Sequence, residues 1–152
     1  MSELRALTVF DQIPAGCRLQ PVTNDDSDPH LRVGEFAVVD TTDTEPQNGE
    51  VYLIRWNSGC TDIVQAFCQQ HYNNEIGDFT GWWTRCLRVL FYDDELEKAR
   101  KLTSAGGITE IPRGCLVDGP RLIETFRETL IGRVIGIYEA KVDVLKLSGR
   151  EV

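Results

Sequence analysis

Histidine is scarce in this chain. His30 and His71 are the only two, and so few make a weak case for a metal site. The five cysteines, Cys17, Cys60, Cys68, Cys86 and Cys115, contain no Cys-x-x-Cys pair and are odd in number. This argues against a structural zinc site and against a secreted disulfide framework. The expectation is buried thiols in a reducing cytosol. Basic residues are also few: 16 Lys and Arg stand against 24 Asp and Glu, a net charge of −8. Such a surface repels phosphate backbones, so no direct nucleic-acid binding is expected. The longest basic grouping, Lys98, Arg100 and Lys101, alternates with acids and reads as a helix surface. No apolar run approaches the ~18 residues of a membrane span. Residues 1–7 carry charges but no apolar signal-peptide core, so neither membrane insertion nor secretion is expected. No cofactor is implied.

What is present is a chain of 152 residues, 41% hydrophobic, enough for one domain with a buried core. No repeat or low-complexity linker divides it, so residues 1–152 are expected to form a single domain. Residues 7–10 are a short apolar run, followed by Ile13-Pro14-Ala15-Gly16, which reads as a strand ending in a turn. Residues 23–29 are a polar loop. Residues 36–39 read as a strand ending at Asp40, and residues 41–49 as a loop closing on Asn48-Gly49, a hairpin-type turn signal. Residues 51–56 alternate, with Tyr52, Ile54 and Trp56 on one face and Val51, Leu53 and Arg55 on the other. Residues 63–68 return as a third strand. Residues 69–81, polar and glycine-containing, read as a loop, and residues 82–91 as a strand. Asp94 with Glu97 forms a capping box for a helix that Gly106-Gly107 stops. Gly119-Pro120 opens a second helix with Leu122, Ile123, Phe126 and Leu130 on one face. Residues 131–138 are a β-branched closing strand, whose two glycines point to bends or close backbone approach, and residues 142–145 a further edge segment. Six or seven short strands with two helices make a mostly β, α+β domain.

The order of these segments is similar to that of a known family. Residues 31–40 (LRVGEFAVVD), a polar loop, and residues 49–55 (GEVYLIR) resemble the paired strands of LexA, UmuD and phage-repressor C-terminal domains, which are serine self-peptidases. Residues 131–136 (IGRVIG) look like that family's last strand. Ile13-Pro14-Ala15-Gly16 resembles the strand bearing the Ala-Gly bond that these proteins cut in themselves. The resemblance covers about residues 8–68 and 131–138. It implies a LexA/signal-peptidase-like, β-barrel-like domain with two inserted helices, in a family-atypical insertion at about residues 69–130. It also implies a vestigial cleavage site at Ala15 and Gly16.

The family's nucleophile sits in a Gly-x-Ser-Met context just before a proline. The matching stretch here is Asp25-Asp26-Ser27-Asp28-Pro29, one residue short, with Ser27 in the nucleophile's place and no flanking glycine or methionine. The family's lysine base follows a valine in the third strand, whereas here Val64 is followed by Gln65. A buried lysine works as a neutral amine that takes the serine proton. A glutamine amide accepts no proton at ordinary pH, and losing a positioned base removes about 10²–10⁴-fold in rate. Asp25, Asp26 and Asp28 would also oppose the negative charge of an oxyanion at Ser27. The segment between Gly16 and Ser27 is shorter than in the family. The expectation is therefore a non-catalytic relative. Because family members dimerise through this domain, it would act in self-association or in binding a protein partner. The chain starts almost where the family's peptidase domain starts, so no DNA-binding segment is expected ahead of it, and any regulation would run through pairing with another protein.

Other constellations read more simply. Ser27, His30 and Asp25 or Asp26 lie in one short loop without a nucleophile-elbow pattern, so turn-forming side chains explain them better than a triad. The acidic loop at residues 24–28 lacks the glycine and distant glutamate of a calcium loop. Trp82-Trp83 places two adjacent tryptophans on opposite faces of a strand, one for the core and one able to anchor a partner. Two further readings stay open: a degenerate but active serine self-peptidase using Ser27, and a β-barrel binding module unrelated to peptidases.

Overall fold

The structure is a computed structural model that describes residues 7–87 and 117–140. Its strands are β1 (Thr8–Phe10), β2 (Cys17–Pro21), β3 (Phe36–Asp40), β4 (Val51–Arg55), β5 (Thr61–Asn73), β6 (Gly77–Arg85), β7 (Val117–Arg121) and β8 (Leu130–Tyr138). One helix, α1 (Ile123–Thr129), precedes β8. The strands form a curled half-barrel sheet in the order β2-β3-β8-β4-β5-β6-β7, with β1 parallel beside the end of β8.

β8 is the hub, and its composition suits that position. It pairs with β3, β4 and β1, so its nine residues serve three neighbours. β-Branched residues favour this extended, half-buried setting. Its glycines let those neighbours approach. A Cβ at Gly132 would meet the Asp40 carbonyl and Val39, and one at Gly136 would meet the Thr8 carbonyl and the Phe10 ring.

Both faces of the sheet are packed, which explains why β4 is buried from Val51 to Ile54. One core gathers Val22, Leu31, Val39, Leu53, Ile63 and Val134. The other gathers Tyr52, Ile54, Val64, Trp82, Phe126 and Leu130. Burying a side chain of this size contributes roughly 1.5–3 kcal/mol. The β3–β4 loop is tied to the sheet by Tyr52, whose hydroxyl accepts from the Gln47 N–H and donates to the Glu45 carbonyl, both at 2.8 Å. Arg133 adds a 2.7 Å ion pair to Asp43.

α1 has no side-chain N-cap, and seven residues are too few to stand alone. Packing holds it: Phe126 is fully buried and its ring stacks on Trp82 at 5.6 Å.

Four expectations are corrected. Two inserted helices were expected, and the described residues hold one. The segment expected to open the second helix is β7, with Gly119-Pro120 inside the strand beside β6. Gly119 has a φ of +148°, and a Cβ there would meet the Trp82 carbonyl and the Trp83 ring, so the pair shapes a bulge against β6 and does not start a helix. The helix expected from Asp94 lies outside the described residues, as do the segment at residues 142–145 and the end of the strand expected at residues 82–91. Residues 69–81 are not a loop. They continue β5 and β6 as a two-stranded ribbon, paired in register from Gln69↔Gly81 to Asn73↔Gly77. The turn signal at Asn48-Gly49 does not join paired strands, because β8 lies between β3 and β4. Finally, Cys17–Pro21 pairs with β3 as an edge strand that the sequence pattern did not announce.

Candidate functional site

Gln65 sits near the middle of β5, opposite Val51 of β4 and Arg85 of β6. It is 1% exposed. Burial of a primary amide is costly unless both ends are bonded. Here its Nε2 donates to the Gly49 carbonyl at 3.0 Å, and its Oε1 accepts from Arg85 Nε at 2.6 Å. The second bond is charge-assisted and therefore among the stronger kind. The position is built around a hydrogen-bond acceptor facing a guanidinium. An amine base there would share its space with a cation.

Ser27 lies in the loop between β2 and β3 and is 4% exposed. The loop folds on itself: Asp28 N–H bonds the Asp25 carbonyl at 3.1 Å, and Leu31 N–H bonds the Ser27 carbonyl at 3.0 Å. The Asn24 side chain accepts from Asp26 N–H at 3.0 Å, an Asx turn. Leu31 and Val22 anchor the loop in the core that contains Ile63. Ile63 and Gln65 are two residues apart on one strand and so share a face. The Ser27 loop and Gln65 therefore belong to the same side of the sheet.

Ala15 and Gly16 are elsewhere. They form an exposed turn between β1 and β2, with Gly16 at φ +78° and Cys17 N–H bonded to the Pro14 carbonyl at 3.1 Å. Thr41 clamps this turn through its N–H and its hydroxyl, both donated to the Gly16 carbonyl. β2 then carries the chain about 16 Å, at ~3.3 Å per residue, before the Ser27 loop begins. The structure thus places Gln65 and the Ser27 loop on one side and puts the Ala15-Gly16 bond at the far end of β2.

Asp62, at the start of β5, was not singled out by the sequence. Burial pushes its carboxyl up and the nearby Asp26 adds to that, against the Ile63 N–H and the Trp56 indole, which both bond the charged form. Arg85 was likewise missed. Its partner in β5 is twenty positions away, and only the strand register reveals it.

No family model, curated protein or solved structure matches the chain.

The two tryptophans part as their strand dictates. Trp82 is 7% exposed and packs under α1 against Phe126. Trp83 points to the other face, half-buried, and stacks on Phe67 at 6.2 Å. Its indole N–H donates to His71 Nε2 at 2.9 Å. His30 is half-buried beside the Ser27 loop, so the two histidines sit in different parts of the fold. Among the described residues, no group of three His, Cys, Asp or Glu is placed to hold a metal ion. Cys17, Cys60 and Cys68 are free thiols, and Cys115 lies outside the described residues. Among those residues, no helix is long and apolar enough to cross a membrane.

Proposed function

We propose that this chain is a non-catalytic relative of the LexA-type self-peptidase domain, acting by association with a second copy of itself or with a protein partner. The observation that carries the reading is the environment of Gln65. The residue at the position of the family's lysine is a buried amide whose oxygen is held by Arg85 and whose nitrogen is held by Gly49. Neither atom takes up a proton at neutral pH, and the neighbouring guanidinium opposes any cation formed there. The distance that β2 sets between the Ser27 loop and the clamped Ala15-Gly16 turn supports the same reading.

The test is intact mass of the purified chain, incubated from neutral to alkaline pH beside its Ser27→Ala variant. An uncut chain of 17.2 kDa in both samples is expected. A pair of fragments ending at Ala15 and beginning at Gly16, absent in the variant, would establish Ser27 as a working nucleophile and end the non-catalytic reading.

A further inference from the structure

β5 is thirteen residues long, but its neighbour β4 is five. β4 pairs with β5 only from Thr61 to Gln65. The loop before β4 covers the next stretch, through Ala66 N–H to the Glu50 carbonyl, Gly49 N–H to the Ala66 carbonyl, and Cys68 N–H to the Asn48 side chain. Residues 69–73 then run on with β6 on one side and, among the described residues, no strand on the other. A sheet edge exposes backbone donors and acceptors, and proteins guard such edges with lysine, other charges, proline or bulges. Residues 67–73 (FCQQHYN) contain no Lys, Arg, Asp, Glu or Pro. The pairing of β5 with β6 runs without a register shift over nine positions, Gln65 to Asn73, so no bulge twists the edge away. The opposite edge of the ribbon differs: residues 77–81 (GDFTG) hold two glycines and Asp78.

The structure assigns the open edge of β5, residues 69–73, as an interface at which two copies of the chain pair antiparallel about a twofold axis. This rests on the association reading above and names the surface. The occupant follows from charge and from self-complementarity. A twofold pairing centred on His71 sets Gln70 beside Tyr72 of the second copy and Gln69 beside its Asn73. No like charges meet there, although the chain as a whole carries −8 and repels its copies elsewhere. Tyr72, 70% exposed, gains a neighbour across the axis. Main-chain bonds supply the attraction and the side-chain register supplies the specificity.

Sedimentation velocity on the full chain, from low micromolar to near-millimolar concentration, tests this. The weight-average mass is expected to rise from 17.2 kDa towards twice that value. Tyr72→Lys should hold it at the monomer, with an unchanged far-ultraviolet circular dichroism spectrum. The double change Gln70→Glu/Tyr72→Lys sets opposite charges across the axis and should restore the rise. A chain that stays monomeric throughout, or a dimer indifferent to Tyr72→Lys, overturns the interface. The cleavage experiment is read separately, so an uncut monomer removes this surface and leaves the non-catalytic reading standing.

Discussion

Replacing Gln65 with lysine is the most informative single change, because the site makes a definite demand on it. The lysine ammonium can still donate towards the Gly49 carbonyl, but it offers Arg85 no acceptor in place of Oε1. Two unit charges about 4 Å apart repel by about 4 kcal/mol at an effective dielectric near 20. The lysine has one escape, which is to lose its proton. From an ordinary pKa of about 10.4, that costs about 4.6 kcal/mol at neutral pH. The two routes cost nearly the same, so the penalty at neutral pH is about 4 kcal/mol whichever the side chain takes. That is a large share of the ~5–15 kcal/mol by which small domains are stable.

The sign with pH follows. A lysine whose folded pKa is depressed carries its full penalty below that pKa, and the penalty vanishes as pH rises past the unfolded value. The gap between Gln65→Lys and the parent should therefore be widest at neutral pH and should close towards pH of about 10. Urea unfolding midpoints for both proteins at several pH values measure it. Gln65→Met, which removes both bonds and adds no charge, should cost about 1–3 kcal/mol with no such pH dependence. A Gln65→Lys protein as stable as the parent at neutral pH, or a gap that ignores pH, would refute the reasoning. It would mean that Arg85 yields its place to an amine, and the non-catalytic reading would lose its main support.

Two further outcomes test the frame around the site. Phe126→Ala should destabilise the domain by about 3–5 kcal/mol in urea unfolding, because the ring is fully buried and α1 has no cap to hold it once the stack on Trp82 is gone. Asp62→Asn should be as stable as the parent at acid pH and more stable at neutral pH. Burial and Asp26 raise the folded pKa of Asp62, so the parent loses stability as pH rises from the unfolded carboxylate range through that raised value. Equal stability at neutral pH would count against the burial of this carboxyl.

The parts of the fold legible in the sequence are those where one residue's surroundings follow from its near neighbours. The two faces of β4 were readable because alternation in a strand is a local property, and Tyr52 and Ile54 do part from Val51 and Leu53 into separate cores. The glycines of β8 were readable as close approaches for a similar reason. The ribbon at residues 69–81 was not. Solvent reaches both of its faces, so no apolar alternation marks it, and the pattern that identifies strands is missing where strands persist. β2 escaped notice because a short edge strand ending in proline looks like a loop. Gly119-Pro120 misled in the other direction: proline suits a helix start, but a glycine at positive φ beside Trp83 suits a bulged strand equally well, and only pairing with β6 decides. At the candidate site, Gln65 was visible as a residue but its meaning was not. Arg85 makes the Gln65 amide oxygen an occupied acceptor, and strand register, not sequence spacing, brings the two together.

The tryptophan pair links the site to the ribbon. Trp82 is committed to the core by Phe126, while Trp83 is held on the other face by Phe67 and His71. On the same face as Trp83, one step inward along the paired strands, lies the Gln65–Arg85 pair, and one step outward lie Gln69 and Gly81. The double tryptophan therefore fixes the base of the ribbon from both faces at once. Beyond it, among the described residues, the two strands pair only with each other, and an isolated two-stranded ribbon is marginally stable in water. A third strand along the open edge of β5 would remedy that and would leave the buried site undisturbed. Association and the locked Gln65 are thus compatible within one sheet, with the tryptophans separating the part that is buried from the part that is free to pair.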